Sequence, residues 1–172
     1  MRKKQSIVQI LLIWLVLFGC GYRFAGTGAY PEGVESIFVE VMENRSSKTG
    51  VERIVTNQII FEFTRQREKS LSSTPETADA VLKGVIVTIR TQTISRVGQE
   101  VANQREAVMT LDMKLVKKDG EVIWALKGLR DREAYDVSNV SKIETDQNEA
   151  LAITRMSERL SERIFSRLTD DF

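Results

Sequence analysis

The sequence predicts an α/β fold of the α+β kind. It is a two-layer sandwich in which two amphipathic helices pack on one face of a mostly antiparallel, mixed four-stranded sheet, in the order β-α-(β)-β-β-β-α. Three observations carry this prediction. Val51, Val55, Ile59 and Phe63 recur every fourth residue, and Ile153, Met156, Leu160, Ile164 and Leu168 form a second stripe at helical spacing. Between them, Ala107, Met109, Leu111, Met113 and Leu115 alternate with Glu106, Thr110, Asp112 and Lys114, the period of a strand buried on one side. Helices with one apolar stripe and strands with one apolar face bury each other as two layers.

Taken in order, Ser36 to Met42 make the first strand through Ile37, Phe38, Val39 and Val41, and Glu43 to Lys48 make the loop after it. Thr49 is placed to cap a helix of about 17 residues beginning near Gly50. A short edge segment near Leu71 precedes the turn Thr74-Pro75-Glu76-Thr77. From Ala80 to Ser95 the chain alternates, with Val81, Val85, Val87 and Ile89 predicted to face the core and Thr88, Arg90, Gln92 and Arg96 to face away. Asp119-Gly120 closes a tight hairpin, and Glu121 to Leu129 return as the last strand, carrying Trp124 inward. The second helix runs from about Thr145 to Leu168, capped by Thr145 or Asp146.

The N-terminus has a different character. Arg2, Lys3 and Lys4 precede a twelve-residue apolar run from Ile7 to Phe18, the layout of an export signal. A spanning helix is the competing reading, but it needs about 20 apolar residues. Leu17-Phe18-Gly19-Cys20 resembles the lipobox of bacterial lipoproteins, and Cys20 is the single cysteine of the chain. That resemblance implies cleavage between Gly19 and Cys20, a covalent diacylglycerol on the Cys20 thiol and an N-acyl chain on its new amine. Several acyl chains anchor a protein firmly where one binds marginally, since each buried CH₂ contributes roughly 0.8 kcal/mol. In lipoproteins similar to those of enterobacteria an Asp after the lipidated cysteine favours the inner membrane, so the resemblance, with Gly21 at that place, implies the outer one. The expected organisation is a signal peptide over 1–19, a lipidated N-terminus and short linker over 20–33, and a single periplasmic domain over 34–172.

The 172 residues include 25 basic and 24 acidic side chains. Losing Arg2, Lys3 and Lys4 leaves the mature chain slightly acidic, with no reason to expect nucleic acid as a partner. With no histidine and one cysteine, mechanisms built on a His base, a Cys–His pair or a disulfide are excluded. Gly-rich phosphate loops, nucleophile elbows and metal-ligand spacings are missing from the sequence, so it predicts a protein that is not an enzyme, with no metal and no cofactor beyond the lipid. Arg90 and Arg96 on the polar side of one strand and Lys114 on the polar side of the next are candidate contacts for phosphate groups. A solvated outer sheet face is the alternative for all three.

Cys20-Gly21-Tyr22-Arg23-Phe24, Ile37-Phe38-Val39-Glu40-Val41-Met42-Glu43-Asn44-Arg45, Ala78-Asp79-Ala80-Val81-Leu82-Lys83-Gly84 and Asp119-Gly120-Glu121-Val122-Ile123-Trp124 occur in that order. Together they resemble the LPS-assembly lipoprotein family, LptE, over essentially the whole mature chain. The resemblance implies a lipoprotein held in the outer membrane by its anchor, on the periplasmic side and within the lumen of the LptD β-barrel. There it would plug and help assemble the translocon and assist insertion of lipopolysaccharide into the outer leaflet. The competing expectation is a periplasmic lipoprotein that serves another envelope complex, a secretion pore or a cell-wall synthase.

Overall fold

The computed structural model describes residues 30–31, 33–67, 70–94 and 104–170. The expected export segment with Gly19 and Cys20 lies outside the described residues, and so does Arg96. The elements are β1 (Ile37–Val39), β2 (Glu43–Asn44), α1 (Val51–Arg67), β3 (Ala80–Ile94), β4 (Gln104–Lys117), β5 (Val122–Asp136) and α2 (Lys142–Asp170). The sheet order is β1-β3-β4-β5, and β2 also pairs with β3. β1 and β2 are parallel to β3, whereas β4 is antiparallel to both of its neighbours, β3 and β5.

Two helices on a mixed, mostly antiparallel sheet are the predicted arrangement, but the sheet has five strands rather than four. Glu43-Asn44, expected in a loop, pair with Val85 and Ile86. The chain leaves β3 after Glu40, whose N–H still donates to the Leu82 carbonyl at 3.0 Å, and the Met42 N–H donates to the Thr56 hydroxyl of α1 at 3.0 Å. It then returns for two more residues, so the expected strand shortens to β1 and the start of the expected loop becomes β2. The expected edge segment near Leu71 reduces to a single bridge between Leu71 and Ile37.

The inward set predicted for β3 is corrected by the structure. Ala80, Leu82, Gly84 and Ile86 are buried, while Val81, Val85 and Val87 are only partly covered. The register steps from Ile86 opposite Leu111 to Thr88 opposite Thr110, leaving Val87 as an extra residue. A bulge of this kind exchanges the two faces beyond it. Ile89 is therefore buried as expected, and Thr88, Arg90 and Gln92 lie on the open side. β4 keeps its predicted faces throughout, with Ala107 to Leu115 buried at every second position.

Both helices bury the predicted stripes, Val51, Val55, Ile59 and Phe63 on α1 and Ile153, Met156, Leu160, Ile164 and Leu168 on α2. Phe63 meets Phe165 edge to face at 5.1 Å and lies beside Tyr30. The caps differ from prediction. Gly50, at φ +85°, makes the turn into α1 in place of Thr49, a conformation that suits glycine. Ser141 caps α2 by accepting the Glu144 N–H at 3.2 Å, so this helix starts three residues earlier than expected. The Thr145 hydroxyl instead accepts the Ser138 N–H at 3.0 Å.

Polar side chains fasten the end of the sheet where β1 and β2 sit. One carboxylate oxygen of Asp79 accepts the N–H groups of Glu35 and Ser36 and the Ser36 hydroxyl, at 3.1, 2.9 and 2.8 Å. The Asp79 N–H donates back to the Ser36 hydroxyl, so the starts of β1 and β3 are clasped reciprocally. These bonds, those from Ser36 first, hold the Asp79 carboxyl below its ordinary pKa. Asn44 donates to the Lys48 carbonyl and the Glu52 carboxylate and accepts from the N–H and hydroxyl of Ser46. It thereby ties β2 to the first turn of α1. At Gly84, a β-carbon would collide with the thioether sulfurs of Met42 and Met113.

Candidate anion-binding face

The face of the sheet away from the helices is open, and its side chains follow from the register. Opposite residues in an antiparallel pair share a face, which places Arg90, Val108 and Arg132 in one row across β3, β4 and β5. Thr88, Thr110 and Arg130 form the next row, and Gln92, Glu106 and Ala134 the row on the other side. Arg90, Arg130 and Arg132 are all exposed and line one groove of about 780 Å³, together with Arg163 of α2. Among the described residues, Arg90, Arg130 and Arg132 have no carboxylate within ion-pair distance. Glu106, an acid of the same groove, is engaged by the Gln92 amide at 2.8 Å.

The opposite parity of β5 explains how these arginines are held. Leu129, Asp131, Glu133 and Tyr135 face the helical layer, and α2 presents Arg155, Arg159 and Arg163 to the two acids at i, i+4, i+8 spacing. Arg159 reaches Asp131 at 2.7 Å and Glu133 at 2.9 Å, and Arg155 reaches Glu133 at 3.3 Å. Burial works against the charge on Arg159, but its bonds to both acids outweigh it and its pKa is raised. The same helix covers the edge of β5. Arg159 donates to the Arg132 carbonyl at 3.1 Å, Arg163 to the Arg130 carbonyl at 2.6 Å, and Asn148 to the Asp136 carbonyl at 3.0 Å. An edge strand whose carbonyls are occupied is a poor template for pairing with another chain.

The other end of the open face is built differently. A second groove of about 690 Å³ carries Arg45, Lys83, Lys114 and Lys127 beside Glu40, Glu43 and Asp112. Lys83 pairs with Glu40 at 3.0 Å and Arg45 with Glu43 at 2.8 Å, and the hydrogen bond from Arg45 holds the Glu43 carboxyl below its ordinary pKa. Lys114 is exposed here, directly opposite Lys83.

Of the residues singled out in the sequence, Arg90 and Lys114 therefore share a face but not a site. Lys114 lies six residues along β4 from the Arg90 row, about 20 Å at the rise of a strand. Arg130 and Arg132 are not among the sequence candidates because the pattern predicts the last strand to end at Leu129, whereas it continues to Asp136. Leu129 and Tyr135 keep the period of two. Asp131 and Glu133 between them look like solvent-facing positions until Arg155 and Arg159 are brought against them.

Among the described residues, no group of three or more His, Cys, Asp or Glu could hold a metal ion, and no helix is long and apolar enough to cross a membrane. The fold is similar to that of lipoprotein B from Nitrosomonas europaea, at a TM-score of 0.58 and 11% identity over 88% of this chain and 90% of that one. It is also similar to a minor lipoprotein from Acinetobacter baumannii, at a TM-score of 0.52 and 14% identity over 80% and 93%. No curated protein matches in sequence. The lipopolysaccharide-assembly family LptE matches residues 34–168, which hold β1 to β5 and nearly all of α2. The chain belongs to the LptE family of lipopolysaccharide-assembly proteins.

Proposed function

We propose that this protein is a lipoprotein anchored in the outer membrane through Cys20. In this reading it plugs the LptD barrel, helps it assemble, and assists the passage of lipopolysaccharide to the outer leaflet. It acts by binding and not by catalysis. The observation that carries the reading beyond family membership is the arginine row. Arginine is the side chain whose forked donors match phosphate, and unpaired arginines on an open face keep those donors free. The shape suits a plug as well. β3, β4 and β5 have 14 or 15 residues each, about 45–50 Å, against roughly 25 Å for the apolar band of an outer-membrane barrel.

Purification of the tagged protein from membranes in mild detergent tests the partner. Recovery of a large outer-membrane barrel in near-equal amount is expected, whereas recovery with a secretion pore or a cell-wall synthase would overturn the reading in favour of another envelope complex. For the anchor, Cys20→Ala is expected to accumulate as a precursor of higher mass, and normal cleavage of that variant would refute lipidation at Cys20.

A further inference from the structure

The three arginines that α2 turns toward β5 do not have equal partners. Arg155 and Arg159 share Glu133, and Arg159 also holds Asp131 at 2.7 Å, so both carboxylates have a close guanidinium. Arg163, the third, stands 3.9 Å from Asp131, at the limit of an ion pair. Three guanidiniums face two carboxylates, and the surplus charge falls on Arg163. One of its terminal nitrogens donates to the Arg130 carbonyl at 2.6 Å, which fixes the head group at the edge of β5. A guanidinium has five N–H donors, so most remain available. Arg163 also lines the groove that holds Arg90, Arg130 and Arg132.

We infer that Arg163 is a fourth phosphate-binding residue of the groove, contributed by the helical layer across the edge of β5. This rests on the reading of the groove as a phosphate site given above. A row confined to the sheet face would grip an anion from one side. Arg163 turns that row into a cup closed around the edge strand, and the carbonyl bond sets its direction before any ligand arrives. A phosphoryl group bound there completes the charge balance that Asp131, already held by Arg159, leaves unfinished. Arg155, on the same helix and exposed, does not line the groove and serves as the internal control.

The test measures binding of purified lipopolysaccharide, and of the same material after enzymatic removal of its phosphates, to the full-length protein in detergent. Arg163→Gln is expected to weaken binding of the phosphorylated form roughly tenfold, the size of one lost charge-assisted hydrogen bond. Arg155→Gln should stay within about twofold, as a rim charge does. With the dephosphorylated form, Arg163→Gln and the unaltered protein should bind alike. Should Arg163→Gln fail to fold by thermal melting, Arg163→Lys keeps a donor for the Arg130 carbonyl but loses the fork, and about a threefold loss is expected. Binding like the unaltered protein, or an equal loss on both forms of the ligand, overturns the role of Arg163. The double variant Arg90→Gln/Arg132→Gln separates the two ideas. If it weakens binding and Arg163→Gln does not, the inference about Arg163 fails alone. If neither does, the reading of the groove fails with it.

Discussion

The two ends of the sheet use polar residues for opposite purposes. Where β1 and β2 pair with β3, nearly every polar group named above is spent on the chain itself: Asp79 on Ser36, Asn44 on Ser46, Lys48 and Glu52, Lys83 on Glu40. Beyond Ile86, β3 has neither β1 nor β2 beside it, and there, among the described residues, Arg90, Arg130 and Arg132 make no ion pair, the groove's acids Glu106 and Asp131 being engaged by Gln92 and Arg159. The difference teaches why one end is easier to read in sequence than the other. Asn44, Asp79 and Gly84 all belong to short segments whose resemblance is legible residue by residue, and all three act on the fold. The candidate ligand-binding cations Arg90, Arg130 and Arg132 lie outside those segments, though within the matched residues 34–168.

Breaking the clasped end should cost the most stability. Phe63 is fully buried between Tyr30 and Phe165, and Phe63→Ala is expected to lower unfolding free energy by about 3–5 kcal/mol, measured by denaturant titration. A loss below about 1 kcal/mol would mean that this end is not the stable one. Gly84→Val comes next, at about 1–3 kcal/mol for overpacking, because the added carbons enter space held by the Met42 and Met113 sulfurs. Pairing Gly84→Val with Met113→Ala should recover part of that loss if the sulfur is the obstacle.

Asp79 gives the comparison a pH axis. Its folded-state pKa is lowered, so the charged clasp stabilises the protein above the unfolded-state value, near 3.8, and that stability is lost as pH falls through the lower folded value. Asp79→Asn keeps one acceptor oxygen but cannot be charged. At pH 7 it should cost on the order of 1 kcal/mol, and the gap to the unaltered protein should close as pH drops below about 4. A gap independent of pH would show that the clasp works through shape alone.

How much was legible in the sequence follows from which forces are local. Helical stripes and the faces of β4 were readable because every position of the period carries its own side chain. β3 misled because Gly84, an inward residue, has no apolar side chain to declare itself, and because the extra residue Val87 exchanges the faces partway along. The far half of β5 was missed for a different reason. Its inward acids are made tolerable by arginines more than twenty residues later, on α2, and no window of local sequence contains both. Arg130 and Arg132 were lost with it.

At the open end the expectation reverses: little stability, substantial binding. Arg90→Gln/Arg132→Gln should change unfolding free energy by less than about 0.5 kcal/mol, as exposed sites without partners do. The same variant should weaken lipopolysaccharide binding by at least tenfold at low salt, two charge-assisted contacts having gone. Raising ionic strength should narrow the gap. A large drop in stability would place these arginines with the clasp residues and abolish the contrast between the ends.

The smallest effect is expected at Lys114, and it is the most informative about the ligand's extent. Lys114 is exposed on the same face as Arg90 but about 20 Å away, more than two screening lengths at physiological salt. If the ligand's phosphates sit in the arginine groove, Lys114→Gln acts only through a screened field, and binding should change by less than about twofold. A loss equal to that of Arg90→Gln would require direct contact at both positions, which no single phosphoryl group can span. The ligand would then lie along the whole open face, and the ion-paired groove around Lys83 and Lys114 would be the second half of one long site.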